Sequence, residues 1–400
     1  MTEPIFVALI NPKSGGKVGP ELLQRFKEIL NSENVHNLIE EGGPKPALQK
    51  LCDINKERKH LIRIVSCGGD GTTGWILSVM DAMNLPEESR PPIGIIPLGT
   101  GNDLSRVFNW GGKYIERPLE QVLRDMSNAD LVKLDRWSID AKLINGVGCG
   151  GGNLDVVGSE DCSEKDAANK LPMNVLNNYY SIGIDAYIAY KFHQARDKNP
   201  GNFKSRNRNR MYYALKASKD WFKPYWGNLM EFVSIVCDGV DRTEELKAYK
   251  ANGILILNIL SYAGGCRPWN TRDKAKNSMT DGMIEVIALD NYDLAALQMG
   301  CYAKSVCQCK HIVLTTSKLI HMKVDGEPVL MKPCTITIGL DREKAPPGNM
   351  LQNKNSCWYC KDEVEVDEAA RKIQKCRRSH SSTQLLIAQS VIVPQSPIKT

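Results

Sequence analysis

The chain has 400 residues, 42% of them apolar, and a net charge of +6. Those figures exclude a disordered or fibrous protein and allow two domains of ordinary size, while so mild a charge does not mark a nucleic-acid binder. Thirteen cysteines without framework spacing, an opening Met1-Thr2-Glu3-Pro4 with no leader pattern, and no apolar run near the ~18 residues that cross a bilayer predict reduced thiols, a cytosolic setting and at most peripheral membrane contact.

Residues 5–10 read as a buried strand that stops at Asn11-Pro12-Lys13-Ser14-Gly15-Gly16. Residues 21–30 have helical spacing, 37–39 suggest a short strand and 46–54 a second helix. The apolar run 61–65 leads into Gly68-Gly69-Asp70-Gly71-Thr72, and 73–83 read as the helix that follows. A further strand at 93–96 leads into Pro97-Leu98-Gly99-Thr100-Gly101-Asn102-Asp103. Alternating strands and helices predict a parallel sheet flanked by helices, with ligands beyond the carboxyl ends of the strands.

After about residue 130 the texture changes. Runs at 132–139, 179–184, 232–237, 254–260, 283–289, 311–315, 318–324 and 335–340 read as strands, with helical stretches at 186–196 and 211–222. That balance predicts a mainly antiparallel second domain, a sandwich. Residues 158–171 and everything from 342 onward are polar and predict mobile segments. The expected division is 1–130, 131–345 and a basic tail at 346–400.

A strand that breaks into glycines and then a helix is built to hold phosphate. Glycines let backbone N–H groups approach an anion, and the helix start adds partial positive charge. Gly69-x-Gly71-x-x-Gly74 also fits a dinucleotide fingerprint, but the acids further on, Glu87 and Glu88, lie in a Pro-flanked loop and not at a strand end. A Walker A pattern is absent, because Gly16-Lys17 is followed by Val18. Asp70 and Asp103 inside successive glycine turns put two carboxylates beside a bound phosphate, an arrangement that makes sense with Mg²⁺ or water between them.

The two glycine turns resemble the nucleotide signatures of the diacylglycerol kinase and sphingosine kinase superfamily. The continuation from Leu104 to Gly112 is similar to eukaryotic diacylglycerol kinases in particular, as are Tyr180 to Ala186 and the stretch from Phe192 to Arg210. The likeness spans about residues 5–340. It implies an α/β nucleotide-binding domain with a parallel sheet and a mainly antiparallel β-sandwich accessory domain, with the active site in the cleft between them. It implies an ATP-dependent kinase that phosphorylates diacylglycerol to phosphatidic acid, with Mg²⁺. By the same resemblance Asp325, in Asp325-Gly326-Glu327, is the general base, Glu327 supports it, and Asn11 and Ser14 line the nucleotide edge. Gly68, Gly69, Asp70, Gly71, Thr72, Thr100, Gly101 and Asn102 are the expected phosphate cradle, and Asp70, Asp103 and Asp281 the expected metal carboxylates. Read only as residues, Asp325-Gly326 and Asp281-Gly282 are equally hairpin turns. The loop Asn258 to Gly265 resembles a family loop near the cleft and has no assignable role.

Three alternatives stay open: a sphingoid-base or ceramide kinase, an NAD kinase sharing the first glycine turn, and a non-catalytic lipid-binding scaffold. The basic stretch Lys204 to Arg210 suits a solvated face or an anionic membrane surface, and lacks the aromatic interleaving of single-stranded nucleic-acid binders. Ile373, Gln374 and Arg378 begin a calmodulin-binding IQ pattern that breaks at Ser379, so a solvated tail helix is the better reading. Cys357-x-x-Cys360 lacks the second ligand pair that structural zinc needs.

Overall fold

The computed structural model describes residues 3–16, 18–52, 60–144, 164–199, 229–270, 274–290, 293–298 and 300–354. The first lobe contains β1 (Ile5–Ile10), α1 (Val18–Ile29), β2 (Val35–Asn37), α2 (Lys45–Cys52), β3 (Ile62–Gly68), α3 (Asp70–Ala82), β4 (Ile93–Pro97), α4 (Asp103–Val107), α5 (Leu119–Ser127) and β5 (Asp130–Leu134). The second lobe contains β6 (Trp137–Leu143), β7 (Val175–Leu176), β8 (Tyr179–Gly183), α6 (Ile184–Lys198), β9 (Val233–Cys237), β10 (Val240–Asp241), β11 (Gly253–Leu257) and β12 (Ile284–Leu289). It continues through β13 (Lys304–Cys309), β14 (His311–Thr316), β15 (Ile320–Val324), β16 (Glu327–Met331) and β17 (Cys334–Gly339), after which β18 (Gly348–Gln352) follows.

The first sheet runs β2-β1-β3-β4-β18-β5, parallel except for the β18–β5 pair. Strand β1 is apolar on both faces because both are covered, as a parallel sheet requires. Phe6, Ala8 and Ile10 join Leu22 and Phe26 of α1 and Met126 of α5. Val7 and Leu9 face the opposite way, onto Leu48 of α2 and Ile76, Leu77 and Met80 of α3. The two sheets of the second lobe run β10-β9-β14-β17-β6-β7 and β13-β12-β11-β8-β15-β16, and every strand pair in them is antiparallel. Their inner faces share one core, with Ile139, Ile235, Leu314 and Ile336 from one sheet against Ile182, Ile256, Val286 and Met322 from the other.

Several expectations shift. Helix α3 begins at Asp70, three residues before the expected start, so Gly71 and Thr72 belong to its first turn. The run 132–139 is two strands in different sheets, parted by Asp135 and Arg136. The boundary expected at 130/131 falls instead after β5, which still belongs to the first sheet. The expected tail at 346 is also displaced: Gly348–Gln352 is a strand of the first sheet, lying between β4 and β5. The chain thus leaves the first lobe at Asp135 and returns to it after the sandwich. Residues 164–166 form a short 3₁₀ turn and Ala168 bridges to Met331, so this part of the stretch expected to be mobile is ordered. The helix expected at 211–222, the basic stretch 204–210, the CxxC pair and the IQ-like segment lie outside the described residues. Among the described residues, no helix is long and apolar enough to cross a membrane.

Candidate active site

The two glycine turns lie back to back. A Cβ on Gly69 would stand 3.0 Å from the Gly99 Cα, and one on Gly99 would stand 2.6 Å from the Gly69 Cα. Glycine is needed at these two positions because backbone meets backbone. Gly71 is different: nothing stands within 4 Å of where its Cβ would be, and it faces open space in the first turn of α3. The first turn of a helix carries N–H groups that the helix cannot satisfy and the positive end of its dipole. Here the Thr72 and Thr73 amides turn back onto the Gly69 carbonyl at 3.0 and 3.3 Å. Asn11, at the end of β1, donates from Nδ2 to the Thr72 hydroxyl at 3.3 Å, and the Ser14 amide donates to the Asn11 carbonyl at 3.0 Å. The β1 loop is thereby tied to the start of α3.

Asn102 locks the second turn. It adopts φ 55°, ψ 43°, a left-handed conformation that asparagine tolerates. Its Nδ2 donates to the carbonyls of Gly99 at 2.8 Å and Gly112 at 3.0 Å. Thr100 stands exposed at the tip, and Gly101 packs near the Asp103 and Asp70 carboxylates.

Asp70 and Asp103 are held by protein donors. The Asp70 carboxylate accepts the backbone N–H groups of Asp103 at 2.8 Å and Leu104 at 3.1 Å, so it ties the start of α3 to the start of α4. Burial, and then the neighbouring Asp103 charge, push the Asp70 carboxyl up to about 7 against the pull of those two N–H groups. Asp103 accepts from the Ser261 hydroxyl at 2.5 Å and from the amides of Gly264 and Gly265 at 3.0 and 3.1 Å. Those three donors come from the second lobe. The loop 258–265, which had no role by sequence, therefore anchors the second glycine turn across the lobe junction.

Asp325 sits in the β15–β16 hairpin with φ 46°, and Gly326 follows at φ 94°. The hairpin reading of Asp325-Gly326 is thus correct as local structure. The turn also aims the carboxylate into a four-donor clasp. One oxygen accepts the Asn177 amide and the Asn177 Nδ2, both at 2.9 Å, and the other accepts the amides of Asn178 at 2.7 Å and Tyr179 at 3.1 Å. Burial still raises the Asp325 carboxyl above its ordinary value, against those bonds.

Asn177 joins this clasp to the first lobe. The Arg136 Nε donates to the Asn177 Oδ1 at 2.7 Å, and the Arg136 guanidinium grips the Asp81 carboxylate of α3 at 2.9 and 2.7 Å. Arg136 is fully buried, and Arg90 holds the same Asp81 at 2.6 Å. Asn177 also packs at the start of α3, its Nδ2 standing 3.5 Å from where a Gly74 Cβ would lie. The Asp325 charge is felt at Asp70, where it adds to the upward shift. Sequence reasoning missed Arg136 and Asn177. The available signals were the adjacent Asp135-Arg136 charges inside the run 132–139 and the Asn177-Asn178 pair just before a buried strand.

Two expected residues stand apart. Glu327 is exposed and its carboxylate faces His193 of α6 at 3.9 Å, not the Asp325 clasp. Asp281 is exposed and accepts the Met283 amide at 3.0 Å within its own turn. Asp70 and Asp103 lie side by side at Gly101, whereas Asp281 is held within its own turn, and Asp103 already accepts donors from the second lobe.

Fold and site define an α/β lobe with two abutting glycine turns, joined through a buried arginine and asparagine to a β-sandwich that presents one recessed acid. The profile of the diacylglycerol kinase catalytic domain matches residues 6–134, and that of the diacylglycerol kinase accessory domain matches residues 175–328. An eye-specific diacylglycerol kinase of Drosophila melanogaster is 41% identical over 84% of this chain and 22% of its own length. Human diacylglycerol kinase zeta is 38% identical over 93% of this chain and 38% of its own. The chain therefore belongs to the diacylglycerol kinase family, and it spans well under half the length of these relatives. A diacylglycerol kinase structure from Bacillus anthracis aligns over 89% of the chain and 99% of its own, with 14% identity and a TM-score of 0.48.

Proposed function

We propose that this chain is an ATP-dependent diacylglycerol kinase that transfers the terminal phosphoryl group of ATP to the free primary hydroxyl of 1,2-diacylglycerol, giving phosphatidic acid and ADP. The observation that carries the reading is the pairing of two abutting glycine turns with a recessed acid from the other lobe, tied to α3 through Asn177 and Arg136. A shared cleft between the lobes is part of this proposal.

In this reading the backbone N–H groups of Asp70 and Gly71 at the start of α3, and those of the second turn from Thr100 to Asn102, hold phosphate, with the Thr72 hydroxyl, Asn11 and Ser14 at the nucleotide edge. A lipid hydroxyl is a poor nucleophile, and Asp325 accepts its proton as the new phosphorus–oxygen bond forms and the bond to ADP breaks. Burial gives Asp325 a higher proton affinity than an ordinary carboxylate, which suits a base. Glu327 acts no closer than through the hairpin it shares with Asp325. Mg²⁺ commonly neutralises phosphate charge in such transfers. Asp70 and Asp103, side by side at Gly101, are the acids that would hold it directly or through water, and no step is routed through it.

The deciding experiment incubates wild type and Asp325→Ala with labelled ATP and a panel holding diacylglycerol, a sphingoid base, ceramide and NAD. We expect label in phosphatidic acid alone, and loss of at least ~1,000-fold in turnover for the variant with ATP affinity within ~3-fold. Label on another acceptor would replace the substrate. Near-normal turnover in the variant would remove the base assignment, and lipid binding with no ATP turnover would favour the scaffold reading. Diacylglycerol lives in a bilayer, so transient contact with an anionic membrane surface belongs to the same proposal.

A further inference from the structure

Away from the glycine turns, the sulfur atoms of Cys237, Cys307 and Cys309 all lie within 4.8 Å of one another. Cys237 ends β9 in one sheet of the sandwich, while Cys307 and Cys309 stand two residues apart on one face of β13, the edge strand of the other sheet. A register shift in the β12–β13 pair lies beside them, between Val286 and Ile287, and Cys307 pairs with Val286 and Cys309 with Ile284 on its near side. Among the described residues this is the one group of three histidine, cysteine or acidic side chains close enough to share an ion.

We propose that Cys237, Cys307 and Cys309 form a three-thiolate site for one thiophilic d¹⁰ cation of the Zn²⁺ type, which clamps the two sheets together at this edge of the sandwich. Zinc–sulfur bonds of ~2.3 Å in a tetrahedral arrangement set the sulfurs ~3.8 Å apart, so a shift of at most ~1 Å closes the observed triangle. Cys237 and Cys309 are buried and Cys307 is half-buried, so the fourth position opens toward solvent past Cys307 and water fills it. Three thiolates around Zn²⁺ leave a single negative charge. Arg242 and Lys274 lie near enough to Cys307 to act on its charge, and Lys274 is held in place by donating to the Val306 carbonyl at 2.9 Å. One cation is enough to balance a bound complex of that charge, and the anchored Lys274 is placed to supply it.

The test uses the full chain, reduced with a phosphine and stripped with a chelator, in a background carrying Cys357→Ser and Cys360→Ser to remove the other closely spaced pair. Titration with Cd²⁺ alone reports thiolate-to-metal charge-transfer absorption. We expect one equivalent of Cd²⁺ taken up in this background and lost when Cys307→Ser is added. Independently of any change at the site, Zn²⁺ should slow alkylation of Cys307 at least tenfold. Equal Cd²⁺ uptake with and without the Cys307 thiol overturns the proposal. So does an alkylation rate that Zn²⁺ leaves unchanged, and that measurement decides the matter even if the serine variant does not fold.

Discussion

Asp70 has two tasks that pull its proton affinity in opposite directions. Its two N–H partners at the start of α4 favour the charged form, whereas burial and the adjacent Asp103 favour the neutral one and win, taking the group to about 7. The folded value lies above the unfolded one, near 3.8. Between those two values the folded chain binds a proton that the unfolded chain has released, so this group makes stability fall as pH rises from about 4 to about 7. Denaturant unfolding across that window should show the fall in wild type, and Asp70→Asn should lack this part of the slope. Identical slopes would mean the carboxyl ionises normally. Asp325 is raised for the same principal reason, burial. As a base it must be ionised, so the acid limb of turnover should lie above the ordinary carboxylate range near pH 4. A limb at or below that range would show that some other group governs the step.

At the level of elements, the glycine turns separate fit from function. Gly99→Ala drives a methyl into the Gly69 backbone, where no side chain can swing away. It should cost ~1–3 kcal/mol of stability and weaken ATP binding by tenfold or more. Gly71→Ala meets nothing within 4 Å, so nucleotide titration should show weakened affinity while the thermal midpoint stays put. A Gly71 variant that binds ATP normally would move the phosphate elsewhere. These turns were legible in the sequence because each follows a strand buried on both faces, and continuous apolar runs such as Ile5–Ile10 read clearly. The start of α3 was misplaced because glycines read as breakers, yet Gly71 lies inside the first helical turn. Strand β18 was illegible: Gly348-Asn349-Met350-Leu351-Gln352 follows two prolines and is poor in β-formers, and pairing with β4 and β5 makes it a strand. The Asn177 clasp was hidden for a similar reason, since its Asp325 partner is 148 residues away.

For the molecule as a whole, Arg136 is the strut. It spans Asp81 of α3 and Asn177 at the Asp325 clasp without touching solvent. Replacing it with Met leaves Asp81 to Arg90 alone and the Asn177 Oδ1 without its donor. Loss of one partner of a buried pair costs ~3–5 kcal/mol. Turnover of Arg136→Met, assayed below its lowered melting temperature, should fall by more than tenfold at saturating ATP. Full turnover there would mean Asn177 holds Asp325 unaided. Strand β18 gives the other whole-molecule test: a chain ended after Ala345 loses the neighbour that links β5 to β4, and should aggregate where one ended after Lys354 stays dispersed. That returning strand also has a consequence for biosynthesis. Gly348 leaves the ribosome 214 residues after Leu134, which at ~5–20 residues per second is a delay of about 10–40 s. Throughout that interval the first lobe of a newborn chain shows an unfinished β4 margin to the cell, and it becomes whole only once the sandwich has emerged behind it.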